Sequence, residues 1–411
     1  MEAGISHQGL SHIDNAARNR RVILNAVREN GSLSRVEASK LCNLSIATTK
    51  RLVDELIASG MIEEAGAETD RHGRGRKASK LGLRRGYGYA LGADVEPGAL
   101  RLTGIGFDGA VIYRRELAPP TDERPALLAL LIEELSAAAA ACAADRQGPL
   151  RGIGIGMAGL VASRAGVVLY SPGLPGWENV PLASLVRERF SVDVLVDDAV
   201  RCMALAEKRH GAVRGLDTFL YLYVGAGVGS GIVLDNRMYR GRNGVCGEFG
   251  HITVKENGPL CKCGNRGCLE ALVSTSAIIG RARELLAAGV YSTLRSDPPA
   301  ELSLEVIYRA AQDGDKLANM VIAETEESIG IGVADLINIF DPGTVILSGE
   351  VVEAFHGLIL DGIQRIVRRR ALHAIAQRTA IIKSAFDSNT SSLGAATLII
   401  ERMLENEILN L

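Results

Sequence analysis

Three short stretches near the start of the chain carry apolar residues at the spacing of one α-helical face. The first covers residues 21–28 and should end near Asn30, beside a glycine that favours helix termination. Residues 34–37 match a capping box, which predicts a second helix through Leu41. After a turn, residues 45–59 form the third predicted helix, with a serine available as its cap.

The third predicted helix has two different faces. Its apolar positions should face inward: Ile46, Leu52, Val53, Leu56 and Ile57. Its exposed first turns carry the candidates for groove and phosphate contacts: Thr48, Thr49, Lys50 and Arg51. A short helix followed by a second helix with a polar start is typical of a helix-turn-helix, whose second element enters the major groove. The segment therefore predicts a double-stranded DNA operator as partner.

A basic loop follows these helices. Residues 61–64 and 79–83 read as two antiparallel strands, and residues 70–77 between them are rich in arginine and glycine. This pattern predicts a winged helix-turn-helix in which Arg74 and Arg76 reach phosphates or a narrow minor groove. The alternative is a small helical domain for protein contacts whose basic loop is merely solvated.

From residue 87 onward the pattern changes to strands and helices of an α/β body. Strands are predicted at 89–95, 100–107, 110–116, 152–157, 194–196, 218–224 and 232–234. Helices are predicted at 126–144 and from the end of the 194–196 strand through Lys208. The theme of strands, hairpins and a helix occurs twice, which favours two lobes with a cleft between them. The predicted domains are residues 1–86, a first lobe at 87–200 and a second lobe at 201–411.

Composition and charge refine this division. The 411 residues are 47% hydrophobic and 23% charged, as expected for a globular protein of two or three domains. Residues 1–86 hold 15 Lys+Arg and 10 Asp+Glu, a balance of +5, whereas the rest holds 31 and 38, a balance of −7. No membrane span or secretory signal is evident, so a cytoplasmic protein is expected. A basic module on an acidic body is consistent with a polyanion partner.

The most specific chemical signal is a cluster of one histidine and three cysteines. His251, Cys261, Cys263 and Cys268 lie within eighteen residues, and this ligand set closes a tetrahedral structural Zn²⁺ site. Gly264 and Gly267 would provide the positive φ angles that a tight knuckle needs. The alternative is a set of ordinary buried thiols near an unrelated histidine. Seven cysteines, three of them clustered, favour metal binding in a reducing compartment over disulfides.

Two further features leave their interpretation open. The glycine-rich segment 225–231 can either approach phosphates with backbone N–H groups or simply permit a tight hairpin. Asp198 follows a strand and begins a helix, a position where ligands bind in open α/β sheets. Its carboxylate can take a proton from a hydroxyl group or cap the helix.

Taken together, these motifs resemble the ROK family of sugar-responsive repressors and sugar kinases. The resemblance is carried by GEFGH at 247–251, CKCG at 261–264 and GCLE at 267–270, similar to the family's GEIGH and CxCGxxGCLE signatures. LPGWENVPL at 174–182 and IFDP at 339–342 support it. The amino-terminal winged helix is similar to that of the repressor branch. The resemblance implies an actin-like ATPase fold of the sugar-kinase type for the body.

The resemblance also implies roles for individual residues. His251 and the three cysteines would hold zinc, while Glu248 and Glu270 would bind sugar hydroxyls, with His251 able to touch the sugar. Asp198 matches the family's catalytic aspartate, which in a kinase deprotonates the accepting hydroxyl. Zinc would thus fix the segment that carries the sugar-binding carboxylates.

Several positions depart from the kinase pattern. The family's Asp-x-Gly-Gly-Thr-Lys phosphate loop aligns with residues 94–99, where Glu96 adds negative charge, Pro97 removes a backbone donor and the lysine is missing. Phosphoryl transfer depends on positioning and charge stabilisation, so no efficient kinase and no catalytic residue are expected. Asp197 replaces an asparagine before Asp198, and Gly173 stands where another asparagine is expected.

The preferred function is a DNA-binding regulator of carbohydrate metabolism, a repressor whose body binds a sugar or sugar derivative. Asp197, Asp198, Glu248, His251 and Glu270 are the candidate ligand-binding residues. Two half-sites would be read by a homodimer or higher homo-oligomer. The alternatives are an ATP-dependent sugar kinase that carries a DNA-binding arm and a DNA-bound scaffold without a small-molecule ligand.

Overall fold

The structure, a computed structural model, describes residues 12–65, 79–144, 148–295, 301–386 and 390–410. Its amino-terminal helices are α1 (His12–Asn30), α2 (Arg35–Leu41) and α3 (Ile46–Ala58). Its strands are β1 (Leu33–Ser34), β2 (Ile62–Ala65) and β3 (Lys80–Leu83), and they form an antiparallel sheet of order β1-β3-β2. This arrangement confirms the predicted winged helix-turn-helix.

Side-chain caps fix the starts of α2 and α3. The Ser34 hydroxyl accepts from the Glu37 N–H at 3.2 Å, and the Glu37 carboxylate accepts from the Ser34 N–H at 2.8 Å. The Ser45 hydroxyl likewise accepts from the Thr48 N–H at 3.1 Å. Each cap satisfies backbone donors that the first helical turn leaves without partners. Both predicted helix starts are confirmed.

Helix α1 is longer than the predicted 21–28. Its earlier turns lack a continuous apolar stripe, but tertiary contacts hold them in place. Arg20 pairs with Glu55 of α3 at 2.9 Å, and Ala17 is buried. Local periodicity could not detect a helix end that is stabilised by a partner distant in the sequence.

The first lobe contains a five-stranded sheet covered by helices. Its sheet strands are β4 (Tyr89–Glu96), β5 (Ala99–Gly106), β6 (Val111–Leu117), β7 (Leu150–Met157) and β10 (Asp193–Asp198). A small hairpin joins β8 (Leu160–Ala162) to β9 (Val167–Tyr170). The helices of this region are α4 (Arg124–Ala144) and α5 (Leu182–Phe190), and a 3₁₀ turn at Arg85–Tyr87 leads into the lobe.

The second lobe repeats the same sheet plan. Its strands are β11 (Phe219–Val224), β12 (Val228–Leu234), β13 (Arg237–Met238), β14 (Thr344–Ser348) and β15 (Ala380–Lys383). A 3₁₀ turn lies at Phe249–His251. The helices of the remaining chain are α6 (Ala199–His210), α7 (Leu269–Val273), α8 (Thr275–Ala287), α9 (Leu304–Gln312), α10 (Lys316–Phe340), α11 (Glu350–Ala354), α12 (His356–Arg370), α13 (His373–Ala376) and α14 (Ser391–Asn410).

The two sheets have identical connectivity. The strand orders are β6-β5-β4-β7-β10 and β13-β12-β11-β14-β15. In each sheet the first three strands form an antiparallel meander, and the last two run parallel to the first strand. Parallel neighbours require crossover connections, which the intervening helices supply. The predicted duplication of an α/β body is confirmed.

The last helix does not belong to the second lobe. Helix α14 lies on the first sheet, and glycines allow the two backbones to approach closely. A Cβ at Gly92 would lie 1.9 Å from the Ser392 carbonyl oxygen, and one at Gly154 would lie 1.9 Å from the Ala395 carbonyl oxygen. The predicted second lobe of 201–411 is therefore corrected, because its final segment crosses back to complete the first lobe.

Helix α14 also joins the body to the DNA-binding domain. One hydrophobic core contains Ile23, Leu24 and Val27 of α1 together with Ile400 and Leu404 of α14. Burial of such side chains contributes about 1.5–3 kcal/mol each. The winged helix is therefore packed onto the body and is not a module on a free linker.

Helix α4 is the one described helix long and apolar enough to cross a membrane by length and composition. Its buried face includes Leu127, Leu131 and Leu135, which pack in the core of the first lobe. Glu134 is also buried and pairs with Arg115 at 3.0 Å. These contacts indicate a helix of the folded lobe.

Candidate functional site

The segment after the 3₁₀ turn at Phe249–His251 folds into a compact knuckle. The Cys261 N–H donates to the Asn265 carbonyl at 2.7 Å, and the Gly264 N–H donates to the Cys261 carbonyl at 2.9 Å. Gly264 and Gly267 have φ values of +91° and +68°, which confirms the predicted left-handed positions. At Gly267 a Cβ would also lie 1.7 Å from the Lys255 carbonyl oxygen, so only glycine fits there.

The knuckle brings four potential metal ligands together. The donor atoms of His251, Cys261, Cys263 and Cys268 all lie within 4.8 Å of one another. Cys261 Sγ is 3.7 Å from His251 Nδ1, and Cys263 Sγ is 3.7 Å from Cys268 Sγ. Cys261 and Cys268 are buried, while Cys263 is exposed. The cluster can hold a metal ion near the protein surface.

His251 connects this cluster to the first candidate sugar-binding carboxylate. Its Nδ1 faces the cysteine sulfurs, while its Nε2 lies 4.0 Å from Glu248 Oε2. Burial raises the pKa of Glu248 above its ordinary value, and His251 and Arg201 oppose that rise. The Nδ1 atom thus faces the cysteine cluster, and the Nε2 atom faces the Glu248 carboxylate.

Glu270 is fixed from the other end of the knuckle. It follows Cys268 in the first turn of α7, and its Oε2 accepts from the Val228 N–H at 3.1 Å. Val228 begins β12 after the glycine-rich turn, whose Gly225 N–H donates to the Gly227 carbonyl at 2.9 Å. The turn is therefore a tight hairpin, which is one of the two interpretations that the sequence left open.

Asp198 caps α6 and faces the other carboxylates. Its Oδ1 accepts from the Arg201 N–H at 3.0 Å. Burial raises its pKa to about 6, and the nearby Asp197 and Glu248 charges contribute to the rise against the effect of Arg201. The capping role is thus observed, and the raised pKa makes the group an acceptor or donor near neutral pH.

Asp197 is engaged by arginines instead of being open to a ligand. Its Oδ1 accepts from Arg201 Nε at 2.7 Å, and its Oδ2 accepts from Arg240 Nη2 at 2.8 Å. The side chain is 2% exposed. Arg201 Nη1 also donates to the Cys246 carbonyl at 2.9 Å. The predicted sugar contact is therefore corrected: a charged residue at this buried position is neutralised internally and ties β10 to the segment after β13.

The turn between β4 and β5 carries Glu96 and Pro97, which the family resemblance aligns with the phosphate loop of the kinases. Glu96 pairs with Ala99 across the two-residue turn, and Arg101 binds both Glu96 and Asp94. Burial, together with Glu96, raises the pKa of Asp94 to about 6 against the effect of Arg101. The Pro97 ring lies 2.9 Å from the position that a Cβ would take at Gly173.

The contact between Pro97 and Gly173 links two of the departures noted in the sequence. A side chain at residue 173 would collide with the Pro97 ring unless the turn moved, and Gly173 also has a φ of +86°. Glycine at 173 and proline at 97 therefore fit one another. Pro97 and Gly173 are far apart in the sequence, so their contact could not be predicted from local sequence patterns.

The candidate DNA interface is the amino-terminal half of α3. Lys50 and Arg51 are exposed, and Arg51 pairs with Glu55. Thr48 is half-buried, and its hydroxyl lies 2.8 Å from that of Ser45. The predicted wing residues Arg74 and Arg76 lie outside the described residues.

Two assignments on α3 are corrected. Thr49 is fully buried and faces the domain core, so it is not available for the predicted DNA contact. Ile46 is 63% exposed instead of facing inward. Ile46 is the first residue of α3, directly after the capping Ser45, and the buried face of the helix begins only at Thr49. An exposed apolar side chain at the start of α3 is chemically suited to contact a thymine methyl group.

Comparison with known proteins agrees with this geometry. A model of the ROK family matches residues 93–402, and a model of winged helix-turn-helix DNA-binding domains matches residues 17–63. The xylose repressor of Caldicellulosiruptor bescii is 33% identical over 387 residues, which cover 94% of this chain and 96% of that protein.

Two solved structures are also similar. A ROK family transcriptional regulator, described as a homologue of the Escherichia coli MLC protein, superposes with a TM-score of 0.83 at 28% identity. The match covers 96% of this chain and 98% of that one. A ROK hexokinase from Thermus thermophilus has a TM-score of 0.66 at 27% identity and covers 77% of this chain and 99% of its own. The hexokinase therefore matches a smaller share of this chain than the regulator does.

Proposed function

Because this chain belongs to the ROK family, we propose that it is a transcriptional repressor of carbohydrate metabolism that binds a sugar or sugar derivative. The observation that carries the proposal is the capped winged helix, which shares a hydrophobic core with the ROK body. Likeness to a xylose repressor over 94% of the chain supports it. We further propose a cytoplasmic homodimer, since winged helices commonly read two half-sites.

The effector site is proposed at Asp198, Glu248, His251 and Glu270. Carboxylates are strong acceptors for sugar hydroxyl groups. Glu248 is exposed and so is accessible to a ligand, and Asp198 is half-buried at the start of α6. The Glu248 charge contributes to the raised pKa of Asp198, and the Glu270 charge contributes to the raised pKa of Glu248, which supports a common site for the three carboxylates. Asp197 helps to position the end of β10, which carries Asp198, through its salt bridges with Arg201 and Arg240.

The metal proposed for the knuckle is structural Zn²⁺. Three thiolates and one imidazole are a common zinc ligand set. Tetrahedral coordination at ordinary Zn–S distances separates neighbouring sulfurs by about 3.8 Å, and the measured separation of Cys263 Sγ from Cys268 Sγ is 3.7 Å. Zinc would fix His251 and the start of α7, and therefore the positions of Glu248 and Glu270.

The kinase alternative is not favoured by the turn at Glu96 and Pro97. Glu96 and Asp94 already bind Arg101, so this turn offers carboxylates where a kinase needs donors for phosphate oxygens. We expect incubation with ATP, Mg²⁺ and a panel of sugars to give no turnover above background. Turnover that Asp198→Asn abolishes would restore the kinase interpretation.

The test of the proposed function is DNA binding with and without sugar. A duplex selected by the protein from random sequence serves as operator, and free and phosphorylated sugars, beginning with xylose, serve as effectors. The correct sugar should raise the unfolding temperature and weaken DNA binding by about 5–150-fold, the usual range of allosteric coupling. If no sugar changes either quantity, the DNA-bound scaffold replaces the repressor.

Lys50→Ala should weaken binding to DNA of any base sequence. Lys50 is exposed on the amino-terminal half of α3 and forms no ion pair with any described residue, so its charge is available to a phosphate. Loss of one phosphate contact should reduce the slope of log affinity against log salt by about 1. Fluorescence anisotropy across a KCl series measures this slope.

The matched control for this variant is Arg283→Ala. Arg283 is exposed on α8 of the body, so the substitution removes the same charge far from the winged helix. Its slope should equal that of the wild type. Equal slopes for all three proteins would place Lys50 away from the DNA.

A further inference from the structure

A separate cavity of about 290 Å³ lies where the DNA-binding domain meets the body. It is bounded by the end of α1, the β5–β6 turn, the end of α6 and one face of α14. None of the candidate sugar-binding or metal-binding residues lines it. Pockets for drug-sized ligands typically have volumes of about 300–1,000 Å³. This cavity is slightly smaller, so it suits a small molecule.

The lining of the cavity is strongly basic. Its cationic and ionisable nitrogen groups come from both domains: Arg28, Lys208, Arg209, His210 and Arg214. The acidic lining residues are Glu29 and Asp108, and Asp108 is held by Arg85 at 2.7 Å. Lys208 donates to the Asn236 carbonyl at 2.7 Å. Glu401 of α14, which is not among the lining residues, binds Arg28 at 2.7 Å and Arg209 at 2.6 Å. With Glu401 included, the four lysine and arginine side chains exceed the three carboxylates by one positive charge.

Two arginines of this cavity have nitrogen atoms without a partner among the described residues, although Arg209 also binds Glu401 through Nη2. Arg209 Nε is buried and has no hydrogen-bond acceptor among the described residues. Within the same part of the chain, the Arg214 guanidinium makes one hydrogen bond, from Nε to the Arg209 carbonyl at 3.1 Å. Arg214 is exposed at the rim, so its terminal nitrogens are free to turn toward a ligand. Guanidinium groups are well suited to bind phosphate oxygens in pairs.

The electrostatics of the cavity agree with its composition. Burial, together with Arg214, Arg28 and Arg209, lowers the pKa of His210 to about 4. Burial and Arg209 likewise lower the pKa of Lys208 to about 8. Glu401 offsets part of the repulsion between these cations, and a bound dianion would relieve more of it.

We propose that this junction cavity is an anion site for a phosphate group, carried either by inorganic phosphate or by a small phosphorylated sugar. Arg209 Nε and the terminal nitrogens of Arg214 would donate to the phosphate, while Arg28 and Arg209 Nη2 stay bound to Glu401. The apolar lining residues Ile105, Phe107 and Ile400 offer a surface for the rest of a phosphorylated sugar.

The test is isothermal titration calorimetry on the full chain at constant ionic strength. The probes are inorganic phosphate, glucose 6-phosphate and glucose. The variant is Arg214→Gln at the exposed rim, with Arg283→Gln as a charge-matched control. Phosphate should bind the wild type and the control equally and should bind Arg214→Gln at least about fivefold more weakly, the loss expected for one charge-assisted hydrogen bond.

The outcomes separate the two sources of phosphate. Tighter binding of glucose 6-phosphate than of inorganic phosphate, lost in Arg214→Gln, identifies a phosphorylated sugar. Similar binding of both, lost in the same variant, identifies free phosphate. Absence of phosphate binding to the wild type, or equal binding by Arg214→Gln and the wild type, overturns the proposal. Because Arg214 is exposed, an unchanged unfolding temperature for its variant excludes misfolding as the cause.

Discussion

Replacing Cys263 by serine should release the metal and abolish the response to sugar. Cys263 is exposed, so the substitution removes a ligand with little loss of packing. Metal ligation supplies much of the stability of a small knuckle, and its loss should cost about 4 kcal/mol locally. Without the proposed metal, His251 would no longer be held between the sulfurs and Glu248, so the carboxylates of the proposed sugar site would lose their fixed positions.

The measurements are metal content by mass spectrometry, unfolding by urea and sugar-dependent DNA binding. Lys262→Ser is the matched control, because it changes an exposed neighbour in the same loop and keeps all four ligands. The control should retain one metal ion per chain and full response. A Cys263→Ser protein that stays inducible would disprove the link between the knuckle and the sugar site.

Features that are set by residues close together in the sequence were predicted correctly. Ser34, Glu37 and Ser45 act on backbone groups within three residues, so their helix starts were predictable. The knuckle also closes within a short segment, and its glycines and ligands are visible in the sequence. The repeated order of strands and helices was sufficient to predict the duplicated body.

Features that depend on distant partners were not predictable in the same way. The burial of Thr49 and the exposure of Ile46 depend on how α3 is rotated against α1 and the sheet. The neutralisation of Asp197 requires Arg240, which lies on the other lobe. The return of α14 to the first sheet depends on Gly92 of β4 and Gly154 of β7, whose contacts Ser392 and Ala395 lie roughly 240 to 300 residues later in the chain.

Glu401→Gln should strongly destabilise the junction between the DNA-binding domain and the body. Glu401 Oε1 lies 2.7 Å from Arg28 Nη1, and Oε2 lies 2.6 Å from Arg209 Nη2. One carboxylate of α14 therefore binds an arginine from each side of the junction. The acid is 16% exposed and both arginines are 14% exposed, so solvent screens the pairs only in part. Glutamine would leave two largely buried cations without their counter-charge.

The pKa of Glu401 gives the size and the pH range of this effect. Burial alone would raise the pKa, but Arg28 and Arg209 outweigh it and lower the pKa from 4.5 to about 2. A lowered carboxyl pKa contributes stability above the unfolded value of 4.5, and this contribution is lost as the pH falls through the folded value. The shift corresponds to about 3 kcal/mol near neutral pH.

The matched control is Glu405→Gln, one turn later on the same helix. Glu405 pairs with Arg21 at 3.2 Å, but both side chains are more than 40% exposed. That pair should therefore contribute less than about 1 kcal/mol. Urea unfolding at pH 7 should show a loss of about 3 kcal/mol for Glu401→Gln, and the difference from wild type should narrow below pH 4.5. Glu401 bridges arginines on both sides of the junction, whereas Glu405 pairs with Arg21 alone. If both variants lose the same free energy of unfolding, the Glu401 bridge does not join the domains.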